Sequence, residues 1–229
     1  MPLVAVVANK DGQGGTTYAC ALAGFLAHHG HGGHLLDGDP QQGDAIDWAH
    51  MVKHHARLLR HDMANSERVA VLKNASTDPK WQVLDVPPQE AVMLRLALSL
   101  SSAVLMPTVI SGAECISSIN SFIDHLTDLR VSHNLALKLG LVANNVRTSG
   151  DKSYLDLLAS KHNPKSGLWF LGQVGHRTAV AEACIGGYHI WDEDNVAGIE
   201  MRTVLERFAS QVLSLKLNSK LKKNRSMHN

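Results

Sequence analysis

The sequence has no long apolar segment and no targeting leader. Its apolar runs, such as LVAVVAN at residues 3–9, fall far short of the roughly 20 residues that a membrane-spanning helix needs. The first residues hold neither a basic leader nor the apolar core of a signal peptide, because a strand-like run starts at Leu3 and a glycine-rich loop follows it. These absences exclude a membrane helix and predict a cytoplasmic protein.

Cysteine is also scarce. Cys20, Cys115 and Cys184 are odd in number, far apart and set among apolar neighbours. Such thiols suit packing in a reduced interior better than a disulfide framework or a zinc site. Since hydrophobic residues make up 45% of the chain, the sequence predicts a single well-buried globular domain.

Acidic residues are missing from the C-terminal end. No acid follows Glu206, although the formal net charge of the whole chain is only +1. Five cations and no aromatic residue lie in the last 14 positions, namely Lys216, Lys220, Lys222, Lys223 and Arg225. This composition favours sequence-indifferent contact with DNA phosphates over base stacking, with a solvated terminus as the alternative. We expect one domain over residues 1–215 and a basic tail over residues 216–229.

Strand-like and helix-like segments alternate along the rest of the chain. Six strands are predicted, at LVAVVAN, HLLDGDP, WQVLDVPP, AVLMPT, KLGLVANN and GLWFLGQV, with helices near residues 16–29, 44–56, 89–99, 112–129 and 151–162. A last helix is predicted from an apolar stripe of Met201, Val204, Phe208, Val212 and Leu215. This order predicts an α/β fold with a doubly wound, mostly parallel sheet flanked by helices. Ligands bind at the carboxyl ends of the strands in such sheets.

The segment NKDGQGGTT at residues 9–17 joins the first strand to the first helix. A glycine-rich turn at this place gathers unpaired backbone N–H groups at the positive end of a helix dipole, which suits phosphate. Thr16 stands where a hydroxyl ligand of Mg²⁺ belongs, and Asp85 ends a later strand where a magnesium carboxylate belongs. A plain tight turn and a solvated acid are the alternatives, but the two motifs in this order favour a nucleotide site.

The segment KDGQGGTT resembles the deviant Walker A box, K-G-G-x-G-K-S/T-S/T, of the ParA/MinD family of partitioning and positioning ATPases. LLDGDPQQG is similar to the family's L-x-D-x-D-P-Q segment, and VLDVPP to its I-I-D-T-P-P segment. HRTAVAEACIGGYHIW is similar to R-x-x-Y-x-E-A-x-x-x-G-x-x-V, with Val180 in the tyrosine position. The similarity runs through nearly the whole chain and is greatest with small plasmid ParA proteins. It implies a P-loop fold that binds ATP or ADP with Mg²⁺.

The resemblance assigns roles to matching positions. Lys10 matches the lysine that reaches the partner's phosphates across a nucleotide-sandwich dimer, with an idle surface lysine as the alternative. Asp37 and Asp39 match two switch carboxylates, of which the second orients the attacking water, and Asp85 matches the Walker B aspartate. The implied metal ligands are Thr16, Asp37 and Asp85. The implied phosphate loop comprises Asp11, Gly12, Gln13, Gly14, Gly15, Thr16 and Thr17.

Two positions depart from the family pattern. Asp11 replaces a glycine, and Gly15 replaces the lysine that binds the phosphates. A lysine–phosphate contact is a charge-assisted hydrogen bond worth about 1.5 to 3 kcal/mol, or roughly 10- to 150-fold in affinity. It weighs more in the transition state, where charge develops. Hydrolysis should therefore suffer more than binding, unless Lys10 bends inward and replaces part of the contact.

The resemblance also implies partners. ParA proteins form nucleotide-dependent homodimers, bind nonspecific DNA through basic C-terminal surfaces, and are released when a ParB-like partner protein stimulates turnover. The first hypothesis is accordingly a DNA-segregation protein located on the nucleoid, with no membrane partner. The second is a pseudo-ATPase that keeps the fold and acts as a DNA-binding or regulatory module on a plasmid or conjugative element.

Two other polar groups have open roles. HHGHGGH, with His28, His29, His31 and His34, lies between the first helix and the second strand. A solvated loop fits this cluster better than a metal site because its glycines leave the ligands unsupported. Asn144 and Arg147 follow the fifth predicted strand, where relatives hold an adenine base; ordinary loop polarity is the alternative.

Overall fold

The computed structural model describes residues 2–39, 43–59, 65–88, 91–109, 113–147 and 152–217. Within them the strands are β1 (Leu3–Val7), β2 (Gly32–Asp37), β3 (Ala56–Leu58), β4 (Trp81–Val86), β5 (Ala103–Val109), β6 (Lys138–Val146) and β7 (Leu168–Gly175). The α-helices are α1 (Gly15–His28), α2 (Asp44–Met51), α3 (Asn65–Thr77), α4 (Ala91–Leu100), α5 (Ala113–His133), α6 (Lys152–Ser160), α7 (Thr178–Gly186) and α8 (Val196–Arg207).

The strands form one sheet in the order β3-β2-β4-β1-β5-β6-β7. Every pairing in it is parallel, as helical crossovers between strands require. The predicted α/β fold with a parallel sheet flanked by helices is confirmed. Because β1 lies in the centre between β4 and β5, the loop after β1 opens at the middle of the carboxyl edge.

The sheet is covered on both faces. In β1, Val4 and Val6 point into the core layer that holds the buried faces of α1, α2, α7 and α8. Leu3, Ala5 and Val7 point into the opposite layer, with α3, α4, α5 and α6. A continuous apolar strand is therefore needed at this position, which explains the unbroken run at residues 3–7.

The predicted closing helix is confirmed. Four of the five stripe residues are at most 1% exposed, and these are Met201, Val204, Phe208 and Val212. Leu215 is partly buried against the same layer. The stripe extends past α8 because a π-helical turn continues the helix over Phe208–Val212.

Four elements differ from the prediction. The helix expected over residues 44–56 ends at Met51, because Lys53 adopts a positive φ of 54°. The strand β3 that follows has only three residues and gave no periodic signal. The helix α3 was not predicted because its sequence is largely polar, and α7 was recognised as a motif but not as a helix.

The last described residues lie at the amino-terminal edge of the sheet. His31 Nε2, just before β2, hydrogen-bonds to the carbonyl oxygen of Lys216 (3.0 Å). Lys138 Nζ, at the start of β6, donates to the carbonyl oxygen of Val212 (2.7 Å). These residues therefore lie at the edge opposite the loop that follows β1. The predicted DNA-binding residues Lys220, Lys222, Lys223 and Arg225 lie outside the described residues.

Candidate nucleotide-binding site

Two glycines with positive φ shape the loop between β1 and α1. Gly12 has a φ of 74° and Gly14 a φ of 98°, in the region that glycine tolerates without strain. Gly14 is the N-cap of α1, no side chain caps the helix, and its first turn contains no acid. The backbone N–H groups that start α1 are thus available to an anion, at the positive end of the helix dipole.

Asn144, near the end of β6, holds this loop in place. Its Nδ2 donates to the carbonyl oxygen of Gln13 (2.9 Å), and its Oδ1 accepts a hydrogen bond from the Tyr18 hydroxyl (3.4 Å). A Cβ on Gly14 would lie 2.7 Å from the same Nδ2. The Asn144 amide is therefore engaged with the loop rather than open to a base. Arg147 is exposed and lines a separate cavity of about 640 Å³.

Two buried aspartates meet at adjoining strand ends. Asp37 ends β2 in register with Asp85 of β4, and their exposed fractions are 0% and 4%. Asp37 accepts the backbone N–H of Asp39 on Oδ1 (2.9 Å) and that of Ile46 on Oδ2 (3.2 Å). Burial raises the pKa of Asp37, and these two hydrogen bonds oppose the rise. Asp37 thereby ties the segment after β2 to the first turn of α2.

Asp85 is the more perturbed carboxyl group. Burial raises its pKa to about 7, and a hydrogen bond with Thr16 opposes this shift. The charges of Asp37, Asp39 and Asp44 raise the pKa further. Burial and like charges thus dominate its electrostatics, so the ionised form of Asp85 favours a bound cation.

Gly15 stands beside this carboxyl group at the start of α1. A Cβ built on Gly15 would lie 3.5 Å from Ala8 Cβ and 3.8 Å from Asp85 Oδ1, both ordinary van der Waals distances. Gly15 is part of the helix, where side chains are tolerated, so the backbone does not demand glycine here. The lysine of the family pattern is therefore missing although the space for its first atoms is present.

The predicted catalytic pair lies in one cleft with the loop. Lys10 is exposed and Asp39 is half-buried. The cleft has a volume of about 90 Å³, and the predicted site residues that line it are Lys10, Asp11, Gly12, Gly15, Thr16, Asp39 and Asp85. Glycine turns, a hydroxyl and carboxylates from β1, β2 and β4 thus converge on one point, as the motif spacing predicted.

Three loop residues and Asp37 lie behind this cleft rather than in its wall. Gln13 is buried, and its Oε1 has no hydrogen-bond partner among the described residues. Thr17 Oγ1 lies 3.8 Å from Cys184 Sγ of α7. Gly14 contributes its positive φ, while Asp37 accepts hydrogen bonds from the backbone N–H groups of Asp39 and Ile46. Gln13, Gly14 and Asp37 therefore support the site from the side of the protein core, whereas Thr17 faces α7.

The oxygen atoms of the cleft suit a hard divalent cation. The Thr16 hydroxyl and the Asp85 carboxylate already interact, and Mg²⁺ prefers oxygen donors of this kind. Asp37 uses both carboxylate oxygens on backbone N–H groups, which favours a supporting role over direct ligation. In the described parts of the chain no three His, Cys, Asp or Glu residues could hold a metal by themselves. Mg²⁺ would therefore need further oxygens from phosphate and water.

Comparison with known proteins gives a sequence relative and a shared fold. The chain is 32% identical to Protein ParA of Rhizobium radiobacter over 109 residues, which are 47% of this chain and 48% of that protein. Its fold is similar to that of a putative plasmid partition protein from Borrelia burgdorferi B31 bound to AMPPNP, with a TM-score of 0.70, 17% identity and coverage of 92% and 99% of the two chains. The chain is therefore similar in part of its sequence to a ParA protein and in its fold to a plasmid partition protein.

Two solved MinD structures also share this fold. MinD of Aquifex aeolicus has a TM-score of 0.66 at 14% identity, covering 95% of this chain and 100% of that one. MinD of Pyrococcus horikoshii complexed with Mg-ADP has a TM-score of 0.64 at 12% identity, covering 94% and 99%. No family profile matches the chain. The sequence match spans about half the length of the ParA relative.

The histidine cluster has structural partners that sequence reasoning missed. His28 packs against Trp191 with ring centroids 5.1 Å apart, and His34 Nδ1 lies 3.2 Å from Gln82 Nε2. His189, from the loop after α7, stacks on Trp191 (5.0 Å). The cluster is therefore more than a solvated loop, because its rings help to pack the last turn of α1. The tryptophan at position 191 was the available signal.

Within the described ranges, no helix combines the length and the apolar character that crossing a bilayer requires.

Proposed function

We propose that this chain is a ParA-like, nucleotide-dependent DNA partition protein that binds ATP and Mg²⁺ at the cleft after β1. One observation carries the proposal: an uncapped helix start converges with Thr16, Asp39 and Asp85 on one cleft. Helix starts of this kind bind phosphate through backbone N–H groups. These backbone N–H groups are present although position 15 holds glycine in place of the lysine of the family pattern.

Each residue has a defined task in this proposal. The N–H groups from Gly12 to Thr17 would hold the β- and γ-phosphates, with Gly12 and Gly14 providing the required turns. Thr16 and Asp85 would hold Mg²⁺, whose charge supplies neutralisation of the phosphate oxygens. Asp37 would keep the Asp39 segment and α2 in position through its two accepted hydrogen bonds.

Lys10 and Asp39 would act on the reacting phosphate. Asp39 is half-buried at the cleft wall, where its carboxylate can orient a water molecule. Lys10 is exposed at the same wall, so its ammonium group can reach phosphates of a second protomer as well as its own. Dimerisation around nucleotide would thus supply the positive charge that Gly15 does not.

The second candidate function is a pseudo-ATPase that serves as a DNA-binding or regulatory module. The position of Gly15 favours it, because a Cβ atom there would lie 3.8 Å from Asp85 Oδ1, so a carboxyl group borders the site of the missing cation. The carboxylate cluster there disfavours a triphosphate unless a metal ion comes with it. The two candidates therefore differ in Mg²⁺-dependent affinity.

DNA and a ParB-like protein are the proposed macromolecular partners. The chain runs past His31 as it leaves the amino-terminal edge of the sheet, and five cations follow from Lys216 onward. DNA would accordingly bind at the opposite end of the domain from the nucleotide. This separation would leave the cleft accessible to a second protomer while the basic tail holds the protein on nucleoid DNA.

The deciding experiment is titration with a fluorescent ATP analogue, with and without Mg²⁺. The unaltered chain is compared with Gly15→Lys and with Gly15→Ala, which adds a side chain without charge. We expect Mg²⁺-dependent binding by the unaltered chain, a gain of roughly 10- to 150-fold for Gly15→Lys, and little change for Gly15→Ala.

The remaining outcomes separate the candidates. Binding that appears only after lysine is restored supports the pseudo-ATPase, and absence of binding by all three proteins rejects the nucleotide site. Turnover is then measured for the same set and for Asp39→Ala. Asp39→Ala should slow hydrolysis and leave binding largely intact, so an equal loss of both would contradict its water-orienting role.

A further inference from the structure

A second cavity lies on the other side of the phosphate loop, between α1, α2 and α7. Its volume is about 350 Å³. Thr16 and Thr17 start its α1 wall, Cys20 continues it one turn later, and Cys184 and Ile185 form the α7 wall. This cavity shares Thr16 with the nucleotide cleft but takes no other residue from it.

One face of α2 forms the third wall of this cavity. Its residues are Asp44, Asp47, Trp48 and Met51, whose spacings of three, one and three place them on one side of the helix. Trp48 is 6% exposed and forms the apolar floor. Asp44 and Asp47 are exposed at the edge, so an apolar surface here adjoins an acidic one.

The rim of the cavity exposes large apolar side chains. Ile185 is 81% exposed and Met51 is 51% exposed, and they approach the cavity from α7 and α2. Tyr188 is 38% exposed, just beyond Gly187, where an added Cβ would lie 2.7 Å from Met51 Cβ. Exposed apolar residues gathered around a concave, apolar floor mark an interaction surface.

The charges at the rim select the occupant. No basic side chain lines this cavity in the described part of the chain, and no ion pair of Asp44 or Asp47 is found there. Two copies of the chain meeting symmetrically here would bring the same acids face to face, which costs free energy. A basic segment would instead meet complementary charge.

We propose that the cavity between α1, α2 and α7 is a docking site for a short amphipathic segment of a partner protein, with a Lys or Arg beside Asp44 and Asp47 and an apolar side chain between Met51 and Ile185. This inference does not depend on nucleotide turnover. An occupant would touch α1 at Thr16 and Thr17, and it would touch α2, which Asp37 holds through Ile46. Docking and the nucleotide cleft would therefore influence each other.

The test uses the full chain and selected peptides. Random 12-residue peptides displayed on phage are selected on the unaltered protein, and the enriched peptides are synthesised with a fluorescent label for anisotropy titration. We expect enriched peptides to combine Lys or Arg with Leu, Ile or Phe. Ile185→Glu should weaken their binding at least about tenfold. The double substitution Asp44→Asn with Asp47→Asn should weaken it by a similar factor at low salt and by less at high salt.

The control is Val131→Glu, which introduces the same charge at another exposed apolar residue, 59% exposed on α5. It should leave peptide affinity unchanged, and circular dichroism should show that every variant is folded. Selection of acidic peptides, or equal binding by Ile185→Glu, overturns the proposal. So does sedimentation showing a dimer that Ile185→Glu converts to monomer, because the surface would then bind a second copy of the chain.

Discussion

The two ends of the sheet differ in charge and in how they are built. At the carboxyl end, Asp37 and Asp85 are buried in register, and Asp11 and Asp39 line the cleft beside them. At the amino end, Lys138 begins β6 and the backbone at Lys216 is held by His31. The first end concentrates carboxylates that favour a cation, whereas Lys138 and Lys216 place positive charge at the second.

This difference in charge fits the proposal that one domain binds two polyanions, a nucleotide and DNA. In our proposal, the carboxyl end would bind a triphosphate mainly through backbone N–H groups and a metal ion, with Lys10 as a cation among the mostly acidic charged side chains of its cleft. In our proposal, the amino end would bind DNA through side-chain charge, without shape or sequence selection. We therefore expect nucleotide binding to depend on Mg²⁺ and local backbone geometry, and DNA binding to depend on salt.

The largest expected effect comes from Asp85→Asn. Asp85 has a pKa of about 7 in the folded chain, above its unfolded value of about 3.9. The folded state therefore keeps a proton that the unfolded state loses, so stability falls as pH rises from about 4 to 7, by at most about 4 kcal/mol. Asp85→Asn should remove this fall and also abolish the Mg²⁺ dependence of nucleotide binding.

Urea unfolding at pH 5 and pH 8 measures the stability part of this prediction. Asp128→Asn is the control, because Asp128 is exposed on α5, and it should keep the pH dependence of the unaltered chain. If the free energy of unfolding depends on pH in the same way for Asp85→Asn and the unaltered chain, the raised pKa of Asp85 is contradicted.

The next effect separates backbone strain from crowding in the phosphate loop. Gly14→Ala places a Cβ 2.7 Å from Asn144 Nδ2, whereas Gly12→Ala meets nothing within 4 Å, and both positions have positive φ. Each alanine should cost about 1 to 2 kcal/mol for its left-handed backbone, and Gly14→Ala should cost more. Thermal unfolding and pyrophosphate binding measure this, and Asn144→Ala combined with Gly14→Ala should recover the excess. Equal losses of stability for Gly12→Ala and Gly14→Ala would argue against a close contact between Asn144 and the loop at Gly14.

Removing residues 218–229 tests the basic end. The cut lies after Lys216, so the hydrogen bond from His31 stays in place and the fold should be unaffected. Four cations are lost, Lys220, Lys222, Lys223 and Arg225. The slope of log affinity for duplex DNA against log salt should fall by up to about 3 to 4. A full-length chain with the four cations changed to glutamine is the matched control, and an unchanged slope in both would place DNA elsewhere.

The smallest effect concerns His189. Burial lowers its pKa to about 4, and the nearby His54 and His28 add to this. The folded state therefore binds fewer protons than the unfolded state between about pH 4 and 6.5, so stability is lost as pH falls through that range. His189→Phe should reduce the drop in melting temperature from pH 7.5 to pH 5. His133→Phe, at an exposed position on α5, should not.

Local sequence was sufficient where one element carries the information. The unbroken apolar run at residues 3–7, the glycines after it and the stripe from Met201 to Leu215 each predicted an element that the structure contains. The strand β3 and the helix α3 were not predictable in this way, because three residues give no period and a polar helix gives no apolar stripe.

The sequence by itself determined the parallel α/β architecture, because apolar periodicity and glycine turns are local properties of the chain. It predicted the members of the candidate site largely through the resemblance of its motifs to those of a known family. Only the tertiary structure decided that Asp37 lies beside Asp85, that Asn144 braces Gln13, and that a side chain would fit at Gly15. These depend on strand register and on packing between residues far apart in sequence. No local pattern encodes such distances, since they are set by how the whole core closes.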